Sequence, residues 1–176
     1  MIHSELEIYE VNSWLVARLP DDASQQLPSR SQVMINGRIN DHSFQRPLEP
    51  DGQGSHWLHV DSELAKELKI KYGDKITFEF EASKEWPEPT LPEDFSSMLK
   101  TDMVAKTTWD KATPMAHWEW LRWVNSTTNH DTRLKRIEVS RSKLTRGMRR
   151  PCCFNRNMCC IPEVAKSGVL IPPAAS

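Results

Sequence analysis

The sequence predicts an α+β protein, a small β barrel followed by a three-helix module. Three observations carry this. Val33, Ile35, Gly37 and Ile39 fall at period two, the spacing of a half-buried strand, and similar short runs recur through the first half. Lys84–Pro92 then carries Pro87, Pro89 and Pro92, which makes it a stiff linker and a natural boundary. Beyond it, apolar residues recur at helical spacing. With 176 residues, 27% of them charged and 8% aromatic, the chain is long enough to bury a core, and composition excludes global disorder. No apolar run reaches the roughly 20 residues of a membrane span. Met1-Ile2-His3-Ser4-Glu5 has neither the basic nor the apolar region of a signal peptide, so a soluble, cytoplasmic protein is expected.

Taken in order, residues 6–11 and 13–19 are short strands rich in Leu, Ile, Val and Trp. Asp21-Asp22 and Pro28-Ser29 mark a loop. In the next strand Asn36-Gly37 is the stronger turn dipeptide in isolation, but a turn there cuts the alternating run in half. Asn40-Asp41 is therefore the expected turn, leading to a strand over Ser43–Leu48. Pro50-Asp51-Gly52-Gln53-Gly54 turns the chain into a strand over His56–Val60. Asp61 or Ser62 caps a short helix carrying Leu64, Ala65 and Leu68. At Tyr72-Gly73-Asp74, Gly73 supplies a positive φ and Asp74 hydrogen-bonds the turn, which launches a strand over Ile76–Phe80.

After the prolines, Glu93-Asp94 open a helix carrying Phe95, Met98, Leu99, Met103 and Val104, with acidic residues favourably placed in its first turn. Thr113-Pro114 opens a second, with Pro at the first helical position, whose inner face is His117, Trp120, Leu121 and Val124. The third runs from Asp131 to Arg146, stops at Gly147, and carries the narrow stripe Leu134, Ile137 and Leu144. The expected division is a barrel domain over residues 1–86, a helical module over 87–150, and a Cys-containing, Pro-rich tail over 151–176.

The segment Leu68-Lys69-Ile70-Lys71-Tyr72-Gly73-Asp74-Lys75-Ile76 resembles the Gly-Asp box of swapped-hairpin and double-split barrels, the class that includes AbrB-like transcription factors. That resemblance speaks for fold more than function. Leu91-Pro92-Glu93-Asp94-Phe95, Trp118–Val124, Asp131-Thr132-Arg133-Leu134-Lys135-Arg136-Ile137 and Gly147 resemble the YdeI/OmpD-associated, or bacteriocin-protection, family. The barrel half resembles the domain of unknown function that often precedes it. Its points of match are Gly37-Arg38-Ile39-Asn40, Phe44, Leu48-Glu49-Pro50, Gly52-Gln53-Gly54 and Gly73-Asp74. Asp41 departs from that pattern, which usually has Gly after Asn. The resemblance implies protection against bacteriocins or cationic peptides and supplies no catalytic residues to carry over.

Three constellations bear on chemistry. Cys152, Cys153, Cys159 and Cys160 lie within ten residues. Four thiolates can close a zinc site, although adjacent cysteines and an inner gap wider than usual ligand spacing fit it poorly. Flanking Arg149, Arg150 and Arg156 favour thiolates and hence redox chemistry; a reduced, packed tail is the third reading. Arg133, Arg136, Lys143, Arg146, Arg149 and Arg150 form a basic stripe suited to an anionic ligand or nucleic acid, beside Trp118, Trp120 and Trp123 as stacking candidates. Against this, tryptophans at helical spacing are usually core. Residues 1–90 hold 16 Asp/Glu against 9 Lys/Arg and residues 131–176 hold 3 against 10, so the stripe also suits self-pairing. Third, His42, His56, His59, His117 and His130 sit among Asp41, Glu49, Asp51 and Asp61. No nucleophile elbow, phosphate loop or metalloprotease motif accompanies them. The function expected is non-enzymatic binding or stress protection. Its rivals are nucleic-acid binding, thiol or metal chemistry through the cysteines, and an enzyme with Trp86 and Trp109 lining a cleft.

Overall fold

Period-two alternation in the first half becomes seven strands and two short helices in the computed structural model, which describes residues 1–11, 13–151, 164, 165 and 167. The chain forms two compact units. The first contains Met1–Glu85 together with Val164, Ala165 and Ser167, and the second starts at Trp86.

The first unit contains β1 (Ile2–Glu7), β2 (Tyr9–Val11), β3 (Trp14–Arg18), α1 (Asp21–Gln25), β4 (Val33–Ile39), β5 (His42–Pro50), β6 (His56–Val60), α2 (Ser62–Leu68) and β7 (Lys75–Ala82). All pairings are antiparallel, in the order β1-β7-β4-β5-β6-β3-β2. The two ends of that order, β1 and β2, are separated in the chain by Ile8 alone. One stretch of backbone therefore pairs with β7 and then with β3, which curls the sheet into a half-barrel. Ile8 is fully buried. Its N–H donates to Asp74 O at 2.8 Å, and its carbonyl accepts from Gly73 N–H at 2.9 Å. Gly73 holds φ +87°, and Asp74 Oδ2 accepts from Lys71 N–H at 2.9 Å. The Gly-Asp turn thus fixes the residue at which the strand changes partners.

The β4–β5 turn falls at Asn40-Asp41, both with positive φ. Gly37 lies inside the barrel instead. A Cβ there would come within 2.9 Å of Ile35, Phe44 and Phe78 side chains, so the strand runs through Asn36-Gly37 with the aromatic rings packed over the glycine. The core is Ile35, Ile39, Leu48, Leu58, Phe78, Phe80 and their neighbours. Asp61 caps α2 by accepting from Leu64 N–H at 2.9 Å. Where the sequence suggested loop at Asp21-Asp22, the structure has the single turn α1, with both aspartates at its favourable N-terminal end.

The second unit contains α3 (Glu93–Thr101), α4 (Met103–Lys111), α5 (Pro114–Val124) and α6 (His130–Thr145). It has four helices rather than three because Asp102 divides the first. Asp102 is extended, and its carboxylate caps α4 through Val104 and Ala105 N–H groups. Met103 and Val104 are consequently exposed rather than core. Leu134 also lies outward at 47% exposure, so the α6 stripe reduces to Ile137 and Leu144. Phe95, Met98, Leu99, Trp109, Trp120 and Val124 complete this core. Gly147, at φ +86°, ends α6 with Met148 N–H donating to Lys143 O and Gly147 N–H to Leu144 O, a Schellman stop.

Candidate functional site

The barrel carries an open cleft of about 540 Å³. Leu15, Val60 and Ile70 give it an apolar lining, while Glu10, His59 and Lys71 give it polar groups. Tyr72, 64% exposed, stands at the same cleft. Local structure places each contributor. Glu10 comes from β2 and His59 from β6, whereas Lys71 and Tyr72 ride on the turn that Gly73 and Asp74 fix. The His59 ring lies 4.3 Å from that of Trp14. Burial pushes its pKa down to about 4, partly opposed by Asp61 and helped by Arg46. It is therefore a neutral hydrogen-bonding group at neutral pH, between one acidic and one basic neighbour. The site can hold a compact ligand by apolar contact and a few polar bonds. Among the described residues, no group of three or more His, Cys, Asp or Glu is placed to hold a metal ion.

Arg133 and Arg136 of α6 make bonds within the helical module. Arg133 donates from Nε and Nη2 to the two carboxylate oxygens of Asp94, at 2.7 and 2.9 Å, and from Nη1 to Asn125 Oδ1 at 2.7 Å. The guanidinium holds the Asp94 carboxyl below its usual range. Arg136 donates to Trp123 O at 3.0 Å and to Ser126 Oγ. Its guanidinium and the Lys143 ammonium lie 5.7 and 5.4 Å from the Trp123 ring centre. Arg146 Nε donates to Ser142 O at 3.4 Å. The Arg149 carbonyl accepts from Trp120 Nε1 at 3.0 Å, and Arg150 lies 4.0 Å from Glu119. Trp120 is fully buried and therefore core rather than a stacking platform.

The histidines are dispersed. His56 is fully buried, with Nδ1 2.7 Å from Ser24 Oγ and Nε2 2.8 Å from Ser31 O. An imidazole that donates from Nε2 to the carbonyl and accepts from the serine hydroxyl satisfies both contacts. Burial lowers its pKa. Arg30 closes this network onto the Ser24, Leu27 and Gly54 carbonyls. His42 pairs with Glu67 at 2.9 Å, and His130 begins α6. His117 stacks on Trp109 at 4.0 Å, with Nε2 2.8 Å from Trp109 O and Nδ1 2.7 Å from Glu88. Trp118 Nε1 donates to Pro87 O at 2.6 Å. Part of the proline stretch is thus bonded to α5, and Trp109 is a core residue, 5% exposed, rather than the wall of a cleft.

Comparison with protein families matches two separate stretches of the chain. Residues 3–80 match a domain of unknown function, DUF1905. Residues 88–147 match the family described as bacteriocin-protection, YdeI or OmpD-associated. The chain joins a DUF1905 domain to a YdeI/OmpD-associated domain. No curated protein matches it. Every cleft residue lies in the DUF1905 domain, whereas Arg133, Arg136, Lys143 and Arg146 lie in the YdeI/OmpD-associated domain. Arg149 and Arg150 fall just beyond the matched stretch. Cys152, Cys153, Cys159 and Cys160 lie outside both matched stretches and outside the described residues. Sequence reasoning considered His59 but missed Glu10, Lys71 and Tyr72, which come from separate elements with no shared motif. The readable signals were the Gly-Asp turn, which displays Tyr72 at its tip, and the residues paired across β2, β3 and β6.

Proposed function

We propose that the protein is a non-enzymatic binding factor of the protective kind its second domain's family description names, and that it takes its ligand in the DUF1905 cleft. The observation that carries this reading is one concavity that combines apolar lining, an exposed tyrosine and separate polar groups. The expected ligand is a cationic amphipathic peptide. The acidic excess over residues 1–90 attracts cations, Glu10 offers a counter-ion, and the Tyr72 ring offers a face on which an ammonium can rest. Neutral His59 adds a hydrogen bond without repelling the cation.

A dansyl-labelled Lys/Leu amphipathic peptide, titrated against the full chain, tests this. Saturable binding is expected, with Glu10→Lys and Tyr72→Ala each weakening it about tenfold, or roughly 1.4 kcal/mol. Equal affinity for all three chains, or no binding at all, would overturn the assignment. A nucleic-acid reading has one supporting observation, the two cations over the Trp123 ring, and predicts binding to single-stranded DNA that weakens steeply with salt. The thiol or zinc reading through Cys152, Cys153, Cys159 and Cys160 rests on sequence alone. Native mass spectrometry of the reduced chain would reveal bound zinc as a mass lost on denaturation.

A further inference from the structure

The four arginines of residues 1–85 are all engaged. Arg18 meets Asp21, Arg38 meets Glu79, and Arg46 meets Asp61 and Glu63, while Arg30 donates to the Ser24, Leu27 and Gly54 carbonyls. The two charged groups that line the cleft, Glu10 and Lys71, differ. Among the described residues, neither side chain pairs with the other or with any third group. Both are held at the backbone. Glu10 lies on β2 opposite Leu15, which pairs in turn with Val60. The Lys71 N–H donates to Asp74 Oδ2 at 2.9 Å, and its carbonyl accepts from Asp74 N–H at 3.2 Å. Buried Ile70 anchors the turn on the preceding side. The cleft therefore offers one uncompensated anion and one uncompensated cation.

An unpaired ammonium repels a cationic peptide unless that peptide also carries an anion. A peptide built of basic and apolar residues has one anion of its own, the C-terminal carboxylate. At about 540 Å³ the cleft has the size of a small-ligand site, so it admits the end of a chain rather than its whole length. We infer that the cleft takes the C-terminal end of the peptide, with the free carboxylate against Lys71 and a basic side chain near that end against Glu10. The inference rests on the function proposed above and adds which end of the peptide is recognised. Long-range charge favours the opposite outcome. Residues 1–90 hold 16 Asp/Glu against 9 Lys/Arg, so general attraction favours an amidated peptide, which carries one more net positive charge. A preference for the free acid therefore isolates the local cation.

The test uses the full chain and two Lys/Leu peptides of identical sequence, dansylated at the N-terminus. One ends in a free carboxylate and the other in an amide. Each is titrated against the unmodified chain and against Lys71→Gln. Lys71 is exposed and contributes only backbone atoms to its turn, so the substitution leaves the turn intact. The unmodified chain is expected to bind the free acid about fivefold more tightly than the amide, the upper range for an exposed ion pair. In Lys71→Gln that preference is expected to vanish, through lost affinity for the acid and none lost for the amide. Equal binding of the two peptides by the unmodified chain, or tighter binding of the amide, would overturn the inference while the proposed function stands. A preference that survives Lys71→Gln would overturn it as well. If neither peptide binds, the proposed function falls and the inference falls with it.

Discussion

In the barrel, the residue at which one strand exchanges partners is held by two backbone hydrogen bonds, Ile8 to Asp74 and Gly73 to Ile8. In the helical module, elements are tied by charged side chains. Arg133 joins Asp94 on α3, Arg136 reaches the Trp123 carbonyl near the end of α5, and Arg141 joins the Asp102 cap of α4 at 3.1 Å. A strand sheet satisfies its backbone groups by pairing with neighbours, so its cohesion is spread along the ladder. A short helix satisfies its own middle and leaves its ends exposed, so the module places charges and caps at those ends. The sequence alone therefore leaves the basic stripe open to two readings, a ligand face and a set of internal ties. Joining helix ends demands the same residue types as binding anions.

Acid separates the two regions most widely. His59 in the barrel has its pKa lowered to about 4, against roughly 6.5 in an unfolded chain. Between those values the unfolded state binds the extra proton, so barrel stability is complete above about pH 6.5 and declines as pH falls toward 4. The full effect is at most about 3.4 kcal/mol. His56 is lowered too and acts in the same direction. In the module, Arg133 lowers Asp94, and bonds led by the Ala105 N–H lower Asp102. Their contribution is present above the ordinary carboxylate pKa of about 3.9 and is lost only below it. Hydrogen exchange resolved by domain at pH 7 and pH 4.5 should show the barrel amides losing protection first. His59→Gln should remove the larger part of that loss. Equal loss in both domains would break the contrast.

Much of the barrel was legible because strand alternation constrains each residue by its neighbours. The turn at Asn40-Asp41 followed from refusing to interrupt Val33–Ile39, and the Gly73 turn followed from the positive φ that glycine tolerates. What sequence reading missed depends on distant groups. Asp102 appeared as one more polar residue on a helix, but its carboxylate caps α4 and also meets Arg141 and Thr145, 39 and 43 positions away. The cleft was illegible because Glu10, His59 and Lys71 meet only after the sheet has curled. Burial of Val16 and Trp57 on the outer face, 0% and 1% exposed, left a trace. Trp14-Leu15-Val16-Ala17 and Trp57-Leu58 are continuous apolar runs rather than alternating ones, which is how strands buried on both faces read.

The next largest effect concerns the barrel glycine. Gly37→Ala forces a methyl to within 2.9 Å of Ile35, Phe44 and Phe78. All three sit in or against the core, so the methyl overpacks it and should cost about 2 kcal/mol. Chemical denaturation followed through barrel amides measures it. Phe44→Leu in the same chain should recover part of the loss, because the cause is steric. Failure of that rescue would mean that Gly37 serves backbone conformation instead.

The smallest effect belongs to the glycine of the helical module, which is constrained for the opposite reason. Around Gly147 an added Cβ meets no atom within 4 Å, yet φ is +86°. Gly147→Ala therefore costs only the strain of a left-handed residue, about 1 kcal/mol, and no change in neighbouring side chains should relieve it. Gly147→Asn, which tolerates that conformation better, should recover part of the loss. The damage should be confined to the last turn of α6, where the Leu144 and Lys143 carbonyls lose their partners, and exchange of the Gly147 and Met148 amides should report it. If Gly147→Asn proves as costly as Gly147→Ala, space rather than conformation governs this glycine as well. The contrast between a region limited by packing and one limited by its helix ends would then fail at its most local point.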